Sequence, residues 1–412
     1  VRLFSFVTSN KNYSAVRKNI FRDELKKGDL FLLFHYVVDY HGVQMFDNEH
    51  LTLSNFNVYS APGMGIRVEG RQHHWQFLHT RIKPRPGRKE QHLATTSDNM
   101  HFKEILGHAI MDHCEISFGG DDYLNFHEVP EIVWKKDVTG KRSIRDNGGF
   151  GKNGRVGDTV EFRNPDLSPT GIKARITTIR KNPEKGYDIS FDSDLPIIED
   201  EFLVAYNWGF NMEQVIIRNS WFHDGHTKGV TIKGRNITVE NNRFTHTAYG
   251  GLVVSTGYTF DKWREGYCIS NVVIRGNVFE NSTMAPAKFN LNYSPVISLT
   301  MFMEKAHSVE RTPYPIIQDV LIEKNLFRDA PGATAYFCSS KNVIFRDNRI
   351  INNREYLTRR PYRAAVYMKL VSDIKVVNNT WVRSPLVEIP GVIYDDKNSK
   401  HVTFEGNRLV NE

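Results

Sequence analysis

Apolar and polar residues alternate in short bursts along this chain, and in its second half one such burst keeps returning. It reads VIIRNSWF from Val215, ITVENNRF from Ile237, VVIRGNVF from Val272, VLIEKNLF from Val320, VIFRDNRI from Val343, IKVVNNTW from Ile374 and VTFEGNRL from Val402. A period of two marks a strand with one face buried. The Asn reads as a turn residue, because Asn tolerates left-handed dihedrals and bonds its own backbone. A second short strand lies between the phrases, as in GVTI, GGLVVS, ATAYFCS and AAVYMKL. The last apolar residue advances by 22 positions from Phe222 to Phe244 and by 23 from Phe327 to Ile350, while the 35 from Phe244 to Phe279 includes extra loop. Short strands and turns at this period predict an all-β fold, a right-handed parallel β-helix whose coils stack about 4.8 Å apart. No amphipathic stretch is long enough for a βαβ crossover, which counts against a TIM barrel. The same grammar runs through EHLTLSNFNVYSA, HHWQFLHTRI and AIMDHCEISF nearer the N-terminus.

Between 130 and 205 the Asn phrase disappears. GDTVEFRN, GIKARITTIRKN and KGYDISFDSDLP take its place, strongly alternating strands between Gly, Pro and Asn turns. They predict a small antiparallel barrel or sandwich inserted between two coils. The expected organisation is therefore β-helix over 1–129, inserted β domain over 130–205, and β-helix again over 206–412. Loops also swell on one side, at 255–267, 282–295 and 352–363. Such excursions from a solenoid face build binding surfaces. Trp263, Arg264 and Arg360 on these loops are candidates for an aromatic platform and anion contacts to a substrate; solvated surface is the alternative.

Composition narrows the classes. A hydrophobic share of 40% and an aromatic share of 12% exclude a disordered chain. No apolar run approaches the roughly 18 residues of a membrane span. The net charge of +7 fits either a basic solvated surface or an acidic partner, such as a sulfated or uronic glycan. Lys and Arg are scattered without a nucleic-acid-binding motif, so no nucleic-acid partner is expected. Cys114, Cys268 and Cys338 are odd in number and far apart, with neither metal spacing nor a disulfide framework, and read as buried thiols. The chain starts at Val1 without a Met and shows no signal peptide, so it is expected to be processed or cut from something longer. Whether it forms a homo-oligomer stays open.

Chemistry concentrates in TTSDNMHF (95–102) and FGGDDYLNFHE (118–128). Asp98 and Asp121 are 23 residues apart, one coil, and should take nearly the same angular position on consecutive turns, with Asp122 alongside. Three converging carboxylates repel one another, which raises at least one pKa and leaves a protonated acid beside ionised neighbours. A glycosidase needs that pairing of acid and carboxylate. His101, Asn125 and His127 stand close enough in sequence to orient the carboxylates or bind sugar hydroxyls. A Ca²⁺ site and a structural turn are the alternatives.

Taken in order, YSAPGMG (59–65), RPG (85–87), TTSDNMHF, LGHAIMDHCEISFGGDDYLNFH and the small inserted β domain resemble glycoside hydrolase family 110 and its β-helix relatives, most specifically over 59–128. The resemblance implies an inverting exo-α-galactosidase that cleaves α-1,3-linked galactose, needs no metal or other cofactor, and carries further coils before the segment seen here. Asp98 then matches the family's isolated catalytic aspartate, and Asp121 and Asp122 its pair. Tyr123 and Leu124 depart from the family pattern, which bears on the substrate. A more distant similarity to polygalacturonases implies Asp121 as acid, with Asp98 and Asp122 holding the water. The expectation is a secreted or periplasmic glycosidase acting on an oligo- or polysaccharide, plain or sulfated. Its rivals are a polysaccharide lyase and a non-catalytic glycan-binding β-helix of the adhesin or tail-fibre type.

Overall fold

The computed structural model describes residues 3–7, 30–34, 40–260, 263–266, 268–284, 295–305, 308, 310–330, 333–351, 365–382, 391–395 and 397–411. Outside the insertion, the named strands pair in parallel and each coil stacks on the one before. Val43 faces Ile66, Ile66 faces Met100, Met100 faces Leu124, Leu124 faces Val230, and Val230 faces Leu252. A second ladder of ten short strands runs from Asn57–Val58 to Arg408–Val410. The inward residues of both ladders form one continuous core.

Identical inward positions stack as rings. Phe222, Phe244, Phe279 and Phe327 lie face to face at centroid distances of 5.0, 4.8 and 5.1 Å. Trp75, Phe102 and Phe126 form a second stack at 5.1 and 4.1 Å. Each such contact contributes about 0.5–1.5 kcal/mol beyond the burial of its area.

The recurring Asn does a different job from the one its sequence context implies. The left-handed corner belongs mostly to the residue before it. That corner is Asn241 in one coil, but Gly276, Lys324, Asp347 and Gly406 in others, with φ from 54° to 64°. The recurring Asn itself is buried and forms a ladder through the core. Asn242, Asn277, Asn325, Asn348, Asn379 and Asn407 each accept, at Oδ1, the backbone N–H of the residue one coil earlier, at 2.9–3.0 Å. Their Nδ2 groups donate to backbone carbonyls such as Val239 O and Ile274 O. The selection is for an amide that both accepts and donates where no water reaches.

Glu131–Trp134 leaves the coils and Phe202–Asn207 returns to them, and these two strands pair antiparallel. With five strands between them they form a seven-stranded antiparallel sheet with its own core, including Val133, Ile144, Val160, Phe162, Ile176 and Ile189. The described end strands, Glu131–Trp134 and Val138–Gly140, do not pair with each other, so the sheet is open rather than a closed barrel. The returning strand belongs to both bodies. Its Phe202, Val204 and Tyr206 face the β-helix core, while Leu203 and Ala205 face the inserted core. Period-two alternation thus fastens the insertion to the solenoid.

Candidate active site

Two adjacent strands, Met100–Lys103 and Leu124–His127, carry the site, and the aspartates lie in the turns just before them. The register pairs Met100 with Leu124 and His101 with Asn125, a coil of 24 residues rather than 23. Asn99 N–H donates to Asp122 O at 2.9 Å, and Asp121 N–H donates to Ser97 O at 3.2 Å. Asp98 therefore stands opposite Asp122, not Asp121, and Asp121 lies one place to the side. The expected stacking of Asp98 on Asp121 is corrected by one residue, because the coil between them holds one more residue than the repeat further along the chain. Gly119 is required by close approach: a Cβ there would come within 2.3 Å of Asn99 Oδ1. The Asn99 side chain is fully buried and clamps this turn through Ser117 O at 3.1 Å.

The three carboxylates converge, each with an oxygen within 4.8 Å of the others. Asp98 and Asp122 are buried, at 5% and 1% exposure, and Asp121 is half-buried. Each has a different partner. His101 Nδ1 lies 2.7 Å from Asp98 Oδ2. The Thr227 hydroxyl donates to Asp121 Oδ1 at 3.2 Å. Asp122 Oδ2 has the Lys228 ammonium at 3.1 Å and the Thr231 hydroxyl at 3.0 Å. Thr227, Lys228 and Thr231 come from the next coil, delivered only after the insertion. Burial and the charge of Asp98 push the Asp121 carboxyl above the usual aspartate range. Burial pushes Asp122 well up too, with Lys228 working against it. The cluster thus holds protons more tightly than ordinary aspartates do. Three carboxylates this close are also a spacing one hard cation could bridge, but the Lys228 ammonium already sits against Asp122 and the His101 ring occupies one oxygen of Asp98.

A second polar layer lies behind. His101 Nε2 is 3.0 Å from His127 Nε2, and His127 Nδ1 donates to Glu128 O at 3.1 Å. Burial pushes the His127 imidazole down to about 3, so it is neutral at ordinary pH. Lys233, 1% exposed, donates to Asn125 Oδ1 and to Glu265 Oε2, both at 3.1 Å. Burial opposes the Glu265 carboxylate, but the Lys233 ammonium overrides it and holds Glu265 well below the usual range.

The candidates from sequence fall into three groups. Asp98, Asp121, Asp122 and His101 come together. Asn125 and His127 are buried, at 5% and 4%, and touch Lys233, Glu265 and His101. Trp263 is exposed. Arg264 pairs with Glu131 at 2.8 Å, in a cleft of about 410 Å³ between the insertion and Thr259, Phe260 and Arg264, which Trp134 also lines. Arg360 lies outside the described residues. Sequence reasoning missed Thr227, Lys228, Thr231, Lys233 and Glu265. Only Glu265 had a local signal, standing directly after the loop pair Trp263–Arg264.

The family description "Right handed beta helix region" matches residues 202–409. Among characterised proteins, the chain is 25% identical over 338 residues to alpha-1,3-galactosidase A of Bacteroides fragilis, covering 80% of this chain and 53% of that protein. Alpha-1,3-galactosidase B of Akkermansia muciniphila is 24% identical over 82% of this chain and 42% of its own length. Alpha-1,3-galactosidase A of Shewanella woodyi is 24% identical over 87% of this chain and 57% of its own. The chain spans about half the length of these relatives.

Proposed function

We propose that this chain, which belongs to the right-handed β-helix family, carries the catalytic centre of a glycoside hydrolase that removes terminal α-linked galactose. The observation behind the reading is the convergence of Asp98, Asp121 and Asp122 from consecutive coils, in a chain similar to three alpha-1,3-galactosidases. Three crowded like charges, two of them buried, cost stability, so a chain has little reason to assemble them for the fold alone.

The partners support a division of labour. Burial raises Asp122 further than Asp121, but Asp122 is closed off and meets an ammonium, whereas Asp121 is half-buried and meets only a hydroxyl, so Asp121 is the better seat for a proton that must reach the substrate and serves as general acid. It gives that proton to the glycosidic oxygen as the bond from that oxygen to the sugar's anomeric carbon breaks. Asp98 and Asp122 hold a water whose oxygen bonds to the anomeric carbon from the opposite face, and the water's proton passes to Asp98. The stereochemistry needs a direct test. Two-carboxylate inverting sites are about 6.5–9.5 Å apart and retaining sites about 5–5.5 Å, whereas these oxygens approach within 4.8 Å. Inversion is the outcome here because a pair of aspartates shares the water and no single one acts as nucleophile.

The test is proton NMR of the first-formed sugar from α-1,3-galactosides, plain and sulfated. β-Galactose should appear first; initial α-galactose or a trapped glycosyl-aspartate overturns the mechanism. Asp98→Asn, Asp121→Asn and Asp122→Asn should each lower the rate at least about 10²-fold, the contribution of a general acid or base.

A further inference from the structure

The buried histidine pair behind Asp98 fixes a proton count. His127 Nδ1 faces the Glu128 carbonyl, which only accepts, so the proton of the neutral His127 ring must be on Nδ1. Its Nε2 is then a bare lone pair. His101 Nε2, 3.0 Å away, must supply the proton of that contact. The opposite nitrogen, His101 Nδ1, is 2.7 Å from Asp98 Oδ2, and this bond needs a proton of its own. His101 has already committed one to Nε2. The Asp98–His101 bond therefore holds a further proton, either as carboxylate with imidazolium or as carboxylic acid with imidazole.

We infer that His127 is a positioning residue: by presenting only a lone pair to His101 it obliges the Asp98–His101 pair to carry one shared proton, and with that proton on His101 it keeps Asp98 an anion beside a cationic partner, able to act as the base of the reaction. The catalytic part of this inference rests on the glycosidase reading; the proton count does not. The surroundings are compatible. On the preceding coil, Arg67 is the register neighbour of His101 and engages His41 at 3.1 Å and Glu69. Lys103 is drawn to Glu104. Asp121 and Asp122 face Asp98 from the following coil, with Lys228 beyond them. Lys233 is committed to Asn125 and Glu265, and Glu265 lies 3.9 Å from His127 Nε2, beyond hydrogen-bond reach. Among the described residues, no other group is positioned to change the polarity of the His101–His127 contact.

The balance of the step follows. The water's O–H bond breaks as its oxygen bonds to the anomeric carbon, and Asp98 takes that proton on the oxygen not engaged with His101. The imidazolium stabilises Asp98 as an anion beforehand and is not consumed.

The inference is tested on the full chain by ¹⁵N NMR of histidine-labelled protein, with His101 and His127 assigned by difference against His101→Gln and His127→Gln. His127 should be protonated at Nδ1 only, and His101 at Nε2, with its Nδ1 in a strong hydrogen bond. A His127 protonated at Nε2, or a His101 bare at Nε2, overturns it, whether or not the protein hydrolyses galactosides. Activity gives a second arm. Gln at 127 can keep an acceptor near the Nε2 position; Leu cannot. His127→Leu lets His101 donate from Nδ1 while remaining neutral, so the anion of Asp98 loses its cation. The acid limb of the pH profile of kcat/KM should then move to higher pH, with a loss of about tenfold or more, and His127→Gln should restore both. A profile that stays in place in His127→Leu refutes the positioning role. If the Leu variant does not fold, the tautomers of the parent protein and the profile of His127→Gln still decide.

Discussion

Replacing Asn325 with Ala tests the core ladder most sharply. Asn325 is 1% exposed and its Oδ1 accepts two donors from the fully buried Asn277, the backbone N–H at 2.9 Å and Nδ2 at 3.0 Å. Asn277 Nδ2 keeps its second bond to Val239 O. The substitution therefore strands one backbone N–H and one amide hydrogen, and it also removes the Nδ2 donor to Ile274 O and Asn348 Oδ1. Each orphaned buried donor costs about 1–3 kcal/mol, so the expected loss is about 2–5 kcal/mol after allowing for partial relaxation. Because each coil touches only its neighbours, the loss should be local at first. Urea unfolding should show a lower midpoint, and amide exchange should speed up most at Asn277 and in the coils on either side. A loss below about 1 kcal/mol with unchanged protection at Asn277 would refute the account of why Asn recurs.

Three further outcomes follow from other positions. Lys324→Gly, at the exposed left-handed corner next to Asn325 (φ 55°), should be neutral to stabilising within about 1 kcal/mol, since relieved strain and lost chain stiffness oppose each other; urea midpoints read it. Asp121→Asn should stabilise the fold at pH 7 and lose that advantage as pH falls towards 4, because a carboxyl raised above its ordinary value costs stability only where the unfolded chain has ionised and the folded one resists; midpoints compared across pH check the sign. A strong chelator should leave turnover of an α-galactoside unchanged, since the Lys228 ammonium already sits against Asp122 and His101 occupies one oxygen of Asp98; activity restored only by added Ca²⁺ would overturn this.

Much of the fold was readable because each coil repeats one local pattern. VIIRNSWF and its relatives alternate strictly, and alternation plus period is enough to stack coils. The role of the Asn was not readable, since a turn residue and a buried ladder amide occupy neighbouring positions and both suit Asn; Asn241 and Asn242 stand side by side and do one job each. The aspartates were found as a set, but their register slipped by one. Period is measured from strand ends, and a single added residue in the 104–123 stretch shifts which turn residues face each other. Lys228 was out of reach altogether. It meets Asp122 across 106 positions of chain, and no pattern in the solenoid fixes that number, because the insertion accounts for most of it.

That separation imposes an order of assembly. Chains emerge from their N-termini, at about 5–20 residues per second during synthesis. The turn bearing Asp121 and Asp122 and the strand Leu124–His127 exist well before Lys228 and Val230–Ile232, which complete them. For about 5–20 s the nascent protein carries a raw strand edge and an Asp121–Asp122 pair that still lacks Lys228, while the inserted segment is made. Mutual repulsion among those carboxylates holds the unfinished end open to water. The same groups read here as catalytic would thereby guard a growing solenoid against pairing with the wrong strand until the right coil arrives.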